Sequence, residues 1–265
     1  MPEVQVDGAR LHYQDSGGVG PVIVFAHGLL WSTEMWRFQV AAFRDRFRCI
    51  AFDFRGQGQS EVTASGYDME TLAQDAAQLV GKLATGPVHW AGLSMGGFVG
   101  MRLAARHPEL VKTLALLDTA ADPEPRLNIP KYTLLGWLSR LLGQAPLSGE
   151  VMKVMFAKSF LRDPARGELR AQMRQALIGN GLAGSLRATD GVLHRKAVEA
   201  SELSRIRCPT VVISGAEDAA IKPVRSRRLA EQIPGARFVS IPRAGHTAAI
   251  EEPEAVNAAL REFWG

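Results

Sequence analysis

The chain has 265 residues, 46% hydrophobic and 22% charged, a composition that excludes disordered and collagen-like chains. At this length one large domain or two small ones is expected, with a core that needs neither disulfides nor a metal. The formal net charge is only +4, with no dense basic block, so nothing asks for nucleic acid as a partner.

The first third alternates strand and helix signals. Val4–Val6 and Leu11–Tyr13 flank Asp7-Gly8, a hairpin turn signal. Pro21–Phe25 and Ile50–Phe52 are short apolar runs, as expected of strands buried on both faces. Leu72, Ala76, Leu79, Val80 and Leu83 have helical spacing and predict a helix over 71–83. Val88–Ala91 reads as a strand, 96–107 as a helix stopped near Pro108, and Val111–Leu117 as another strand. This rhythm predicts a mostly parallel sheet with helices on both faces.

After Asp118 the rhythm changes. Residues 122–204 contain no convincing strand, only short amphipathic helices over 132–142, 150–161, 168–178 and 182–193. Strands return at Pro209–Ser214 and Arg237–Ile241, with helices over 224–233 and 253–264. The division expected is a core of residues 1–121 and 205–265, interrupted by a helical cap of residues 122–204.

Gly92-Leu93-Ser94-Met95-Gly96 fits G-x-S-x-G and lies between a strand and a helix, the context that gives the motif meaning. Ser94 would sit in a strained turn, with the amino end of the next helix facing developing negative charge. A serine hydroxyl needs a base, and the base an orienting acid. In strand–turn–helix sites of this kind the order is Ser, then Asp or Glu, then His. His246 follows the strand ending at Ile241 and is the candidate base. Asp218 is the favoured acid. Asp118, at the end of an earlier strand, is the alternative, and Glu217 is expected to point away.

Acyl transfer also needs two backbone N–H donors for the tetrahedral oxygen. Met95, after the nucleophile, and Leu29, in the loop after an early strand, are the candidates. His27 is expected to brace that loop. Asp53–Ser60 lacks both the dinucleotide and the phosphate-loop spacings and reads as a structural turn with Arg55 paired to a carboxylate.

With His27-Gly28, Asp53-x-Arg55-Gly56-x-Gly58-x-Ser60, Gly92–Gly97, Gly215-x-x-Asp218, Gly245-His246 and Glu252-Pro253 in place, the chain resembles the α/β-hydrolase superfamily from about Val4 to Trp264. The resemblance implies an α/β-hydrolase fold: a mostly parallel eight-stranded sheet flanked by helices, with a helical cap after the sixth strand. Its motifs are similar to those of small esterases, enol-lactonases and cofactor-free haloperoxidase-like perhydrolases. It implies Ser94, Asp218 and His246 as the catalytic triad, Leu29 and Met95 as the oxyanion hole, and no cofactor or metal. A serine at position 94 departs from dehalogenases, which carry aspartate there. Thr247 departs from C–C hydrolases, and Ala249 from enol-lactonases.

The expected activity is hydrolysis of small to medium, mainly apolar esters or lactones through an acyl-enzyme. The alternatives are perhydrolysis on the same triad, and a ligand-binding sensor with incidental turnover. Trp137, Met155, Phe156 and Phe160 of the cap are expected to bind substrate. Lys131, Arg140, Lys153, Lys158 and Arg162 leave an anionic substrate open, but at helical spacing most are read as solvated. The expected partner is a small-molecule substrate, with neither nucleic acid nor membrane involved and the oligomeric state left open. Only two cysteines, Cys49 and Cys208, with no paired metal spacing, and the lack of a signal peptide or spanning segment, suit a cytoplasmic protein.

Overall fold

The computed structural model describes residues 2–265. Its strands are β1 (Glu3–Val6), β2 (Ala9–Asp15), β3 (Val22–Ala26), β4 (Arg48–Phe52), β5 (Val88–Leu93), β6 (Val111–Leu117), β7 (Thr210–Gly215) and β8 (Arg237–Ile241). They form one sheet in the order β1-β2-β4-β3-β5-β6-β7-β8. β2 pairs antiparallel with β1 and β4, and every other pairing is parallel. All residues of β5 and β7 are buried, as expected of central strands covered on both faces.

Alternation along the strands splits the core into two layers. Val24, Ala26, Ile50, Phe52, Trp90 and Leu114 face one side. There they meet α2 (Met69–Leu83), α3 (Met95–Arg106) and α10 (Pro223–Gln232). Ile23, Phe25, Ala51, Leu93, Leu117 and Ile213 face the other. That layer is closed by α1 (Arg37–Phe43) and α12 (Pro253–Trp264). Asp68 starts α2 by accepting the Glu70 and Thr71 N–H groups.

Between β6 and β7 lie α4 (Ile129–Leu142), α5 (Ser148–Met155), α6 (Lys158–Arg162), α7 (Gly167–Gly179), α8 (Leu182–Leu193) and α9 (Ala200–Leu203). The helix expected over 150–161 is broken at Phe156-Ala157. Ala157 gives its N–H to the Glu251 carboxylate at 2.8 Å, and Thr247 Oγ1 donates to the Met155 carbonyl at 2.8 Å. These long-range bonds outcompete the local i→i−4 ladder. Helices α1, α9 and α11 (Ala248–Glu251) were not expected from the sequence; at seven, four and four residues they are too short for a repeating amphipathic pattern to stand out. α8 docks through two glycines on one face, where a Cβ at Gly184 would overlap the Gly56 carbonyl oxygen and one at Gly191 the Tyr67 carbonyl oxygen. No helix among the described residues is long and apolar enough to cross a membrane.

Candidate active site

Ser94 is the residue between β5 and α3. Its φ of 50° and ψ of −106° are unusual for a side-chain-bearing residue. The strain is held from both sides, by the Ser94 N–H on the Leu117 carbonyl at 2.8 Å and by Thr119 Oγ1 on the Ser94 carbonyl at 2.9 Å. The neighbouring glycines are required by contact, since a Cβ at Gly96 would strike the Ala26 backbone.

His246 sits in the loop after β8, and its Nε2 is 2.9 Å from Ser94 Oγ. Its Nδ1 donates to Asp218 Oδ2 at 2.9 Å. That bond places the ring proton on Nδ1 and leaves the Nε2 lone pair toward the serine. Asp218 is held in turn by the Ala220 and Ile221 N–H groups, which donate to Oδ1 at 2.8 and 2.9 Å. Ser94, Asp218 and His246 are all at most 5% exposed. Glu217 turns away and accepts the Ser159 N–H.

Asp118 is not bonded to the imidazole. It accepts the Gly215 N–H at 2.7 Å and the Ala248 N–H at 3.3 Å. Burial, then the Asp218 charge, pushes its carboxyl well above the usual range. Glu251 lies behind the same loop, and the sequence did not single it out beyond its place at a helix start. It accepts the Gly245 N–H at 3.0 Å and the Thr247 N–H at 3.1 Å, on either side of His246. Burial raises its carboxyl to about 7.

The N–H groups of Leu29 and Met95 have no acceptor among the described residues, whereas Leu30 N–H donates to Gln57 Oε1 at 2.7 Å and Gly96 N–H to the His27 carbonyl at 3.1 Å. Gln57 was missed by sequence reading. It is 1% exposed, and its Nε2 also donates to Met95 Sδ at 3.8 Å, so one side chain ties the two loops together. His27 braces the first loop, with Nδ1 donating to the Gly28 carbonyl and Nε2 accepting the Phe54 N–H. Burial lowers its affinity for a second proton and keeps it neutral. Arg55 is buried against Asp75, with Nε and Nη2 bonds of 2.8 and 2.7 Å.

Ser94 and His246 open on a cavity of about 170 Å³. Its walls include Leu29, Phe98, Leu135, Val151, Met155 and Leu186. Of the four cap residues expected to bind substrate, only Met155 reaches it. Trp137 is 59% exposed and borders a separate cavity of about 680 Å³. Phe156 and Phe160 stack on each other, and Phe156 packs edge-on against Trp31, so both belong to the core beneath the cap. Helical periodicity marks a buried face but not what it is buried against. Lys131, Arg140, Lys153, Lys158 and Arg162 are exposed. No group of side chains with metal-binding composition occurs among the described residues.

The sequence profile described as alpha/beta hydrolase fold matches residues 21–253. An enol-lactonase from Burkholderia xenovorans is 31% identical, with a TM-score of 0.90 and 99% of each chain covered. A thermophilic esterase from Thermogutta terrifontis, solved with malate bound, is 30% identical with a TM-score of 0.89, covering 100% of this chain and 98% of its own. A Mycobacterium tuberculosis protein provisionally named a non-heme bromoperoxidase is 30% identical over 257 residues, 94% of this chain and 96% of its own.

Proposed function

The chain belongs to the alpha/beta hydrolase fold family, and from that membership and the site geometry we propose a serine hydrolase that cleaves carboxylic esters or lactones through an acyl-enzyme. The observation that carries this reading is the unbroken chain Asp218 Oδ2, His246 Nδ1, His246 Nε2, Ser94 Oγ, with both links at 2.9 Å, at the floor of an apolar cavity.

Ser94 Oγ attacks the ester carbonyl while His246 Nε2 takes its proton. Asp218 holds the imidazole in the tautomer that makes this transfer available. The carbonyl oxygen becomes an anion, and the free Leu29 and Met95 N–H groups are its donors. His246 then returns the proton to the departing alcohol oxygen. Water, losing its proton to the same imidazole, releases the acid and restores Ser94. The cavity is smaller than the roughly 300–1,000 Å³ of drug-sized sites, which suits small to medium acyl chains. Likeness to an esterase and an enol-lactonase supports the ester or lactone class. Free Cys49 and Cys208 suit a cytoplasmic setting.

The test is labelling by a fluorophosphonate together with turnover of short-chain p-nitrophenyl esters. Both are expected in the wild type and absent in Ser94→Ala at unchanged thermal stability. Turnover that survives in Ser94→Ala refutes the mechanism.

A further inference from the structure

Arg195, two residues after α8, lines the Ser94 cavity and the larger adjoining one. Its side chain is 2% exposed. Nη1 is satisfied, donating to Glu124 Oε2 at 3.1 Å and to the Val192 carbonyl at 2.8 Å. Nε and Nη2 are buried and have no hydrogen-bond partner. These two nitrogens form one edge of the guanidinium, where two N–H bonds run parallel in the fork that matches a carboxylate. Buried donors without acceptors are uncommon in native proteins, and each calls for an explanation.

The surroundings favour an anion on that edge. The Arg195 Cζ lies 4.2 Å from the centre of the Phe98 ring, and Phe98, one helical turn beyond Ser94, also lines the cavity. The face of the guanidinium is therefore held while its edge stays unpaired. Arg102 is buried close by at 2% exposure, and its partner Glu70 is 46% exposed. Glu124 is the deeply buried carboxylate of the group, and Arg225 with Asp122 forms a more exposed pair. The buried members thus sum to one excess positive charge. Burial lowers the Arg195 pKa only to about 10, so the group stays cationic at neutral pH.

We propose that Arg195 is the carboxylate-binding end of the acyl subsite, and that the preferred substrates are esters whose acyl chain ends in a second carboxylate, as in half-esters of short dicarboxylic acids. The proposal rests on the serine-hydrolase reading and deepens it. Methylenes lie along the apolar wall, the scissile carbonyl sits at Ser94, and the distal carboxylate takes the Nε–Nη2 edge once a rotation of the Arg195 side chain, whose Nε and Nη2 are closed to water in this conformation, turns that edge into the cavity. The cap cations considered from the sequence did not include Arg195.

Calorimetric binding to the Ser94→Ala protein tests this without turnover, with monomethyl adipate compared against methyl hexanoate. The half-ester should bind about tenfold tighter, the scale of a charge-assisted bidentate contact after desolvation, and the preference should vanish in Ser94→Ala/Arg195→Lys, which keeps the charge and loses the fork. Equal or weaker binding of the half-ester to Ser94→Ala overturns the proposal, even if the second variant fails to fold. A preference that survives in Arg195→Lys overturns it as well. Failure of the serine-hydrolase reading would show separately, as carboxylate-selective binding with no fluorophosphonate labelling of the wild type.

Discussion

Asp218→Asn is an informative perturbation because the surrounding bonds dictate which way the new amide turns. Oδ1 of Asp218 takes two backbone N–H groups, from Ala220 and Ile221, while Oδ2 takes one proton from His246 Nδ1. An asparagine has one acceptor and one donor end. Turning its NH2 toward the backbone would leave two buried donors unpaired, at about 1–3 kcal/mol each. Keeping its oxygen there costs only a change of tautomer in the imidazole. The NH2 then faces Nδ1, which must become the acceptor, so the ring proton moves to Nε2. Nε2–H points at Ser94 Oγ and cannot receive its proton. A drop in kcat of about 10⁴ is expected, as for other serine triads, with stability in urea changed by less than about 1 kcal/mol. The assay is kcat on a butyrate ester beside a urea melt. Asp118→Asn, which lies off the imidazole, should cost far less. A loss under tenfold in Asp218→Asn, or a larger loss in Asp118→Asn, refutes the assignment of the acid.

Gln57→Leu should lower kcat by roughly 10–100-fold with little change in KM, because it frees Leu30 N–H and Met95 Sδ and so loosens both proposed oxyanion donors rather than substrate binding. Steady-state kinetics on a neutral ester read the split. Gly191→Ala should lower Tm by roughly 2–4 °C, although the same change in an exposed helix stabilises by about 1 kcal/mol; the reversal comes from the Tyr67 carbonyl beneath it, and a raised Tm would contradict the docking of α8. Glu251 has its folded value raised by burial from 4.5 to about 7. Folding therefore takes up a proton there, and this contribution is complete below pH 4.5 and lost as pH rises to about 7. Urea melts from pH 4.5 to 8 should show wild-type stability falling relative to Glu251→Gln across that window, and parallel curves would mean that Glu251 titrates normally.

Much of this protein follows from local chemistry along the chain. Short, mainly apolar runs bounded by turn residues mark strands, because β5 and β7 are dry on both faces and admit only a few polar groups, such as His89, which is hydrogen-bonded to Thr113. The strand–turn–helix around Ser94 is likewise local, since close backbone approach at Gly96 leaves little choice of residue. His246 and Asp218 could be nominated because each lies just past a strand end, where the sheet topology gathers loops. The choice between Asp218 and Asp118 was open in one dimension, because both follow strands. It was decided by Ala220 and Ile221, which turn the first carboxylate to the imidazole, and by Gly215 and Ala248, which hold the second away. The break of the 150–161 helix, the seats of Phe156 and Phe160 in the core, and the bridge made by Gln57 were equally outside local reach. Periodicity reports that a face is dry, and side-chain type reports what a group can bond. Which distant backbone supplies the partner depends on packing between segments far apart in the chain, 94 residues for Glu251 and Ala157 and 130 for Asp118 and Ala248. Arg195 is the sharpest case: its charge suggests solvent, and only its packing against Phe98 and Glu124 buries it with an edge unpaired in the wall of the cavity that Ser94 also lines.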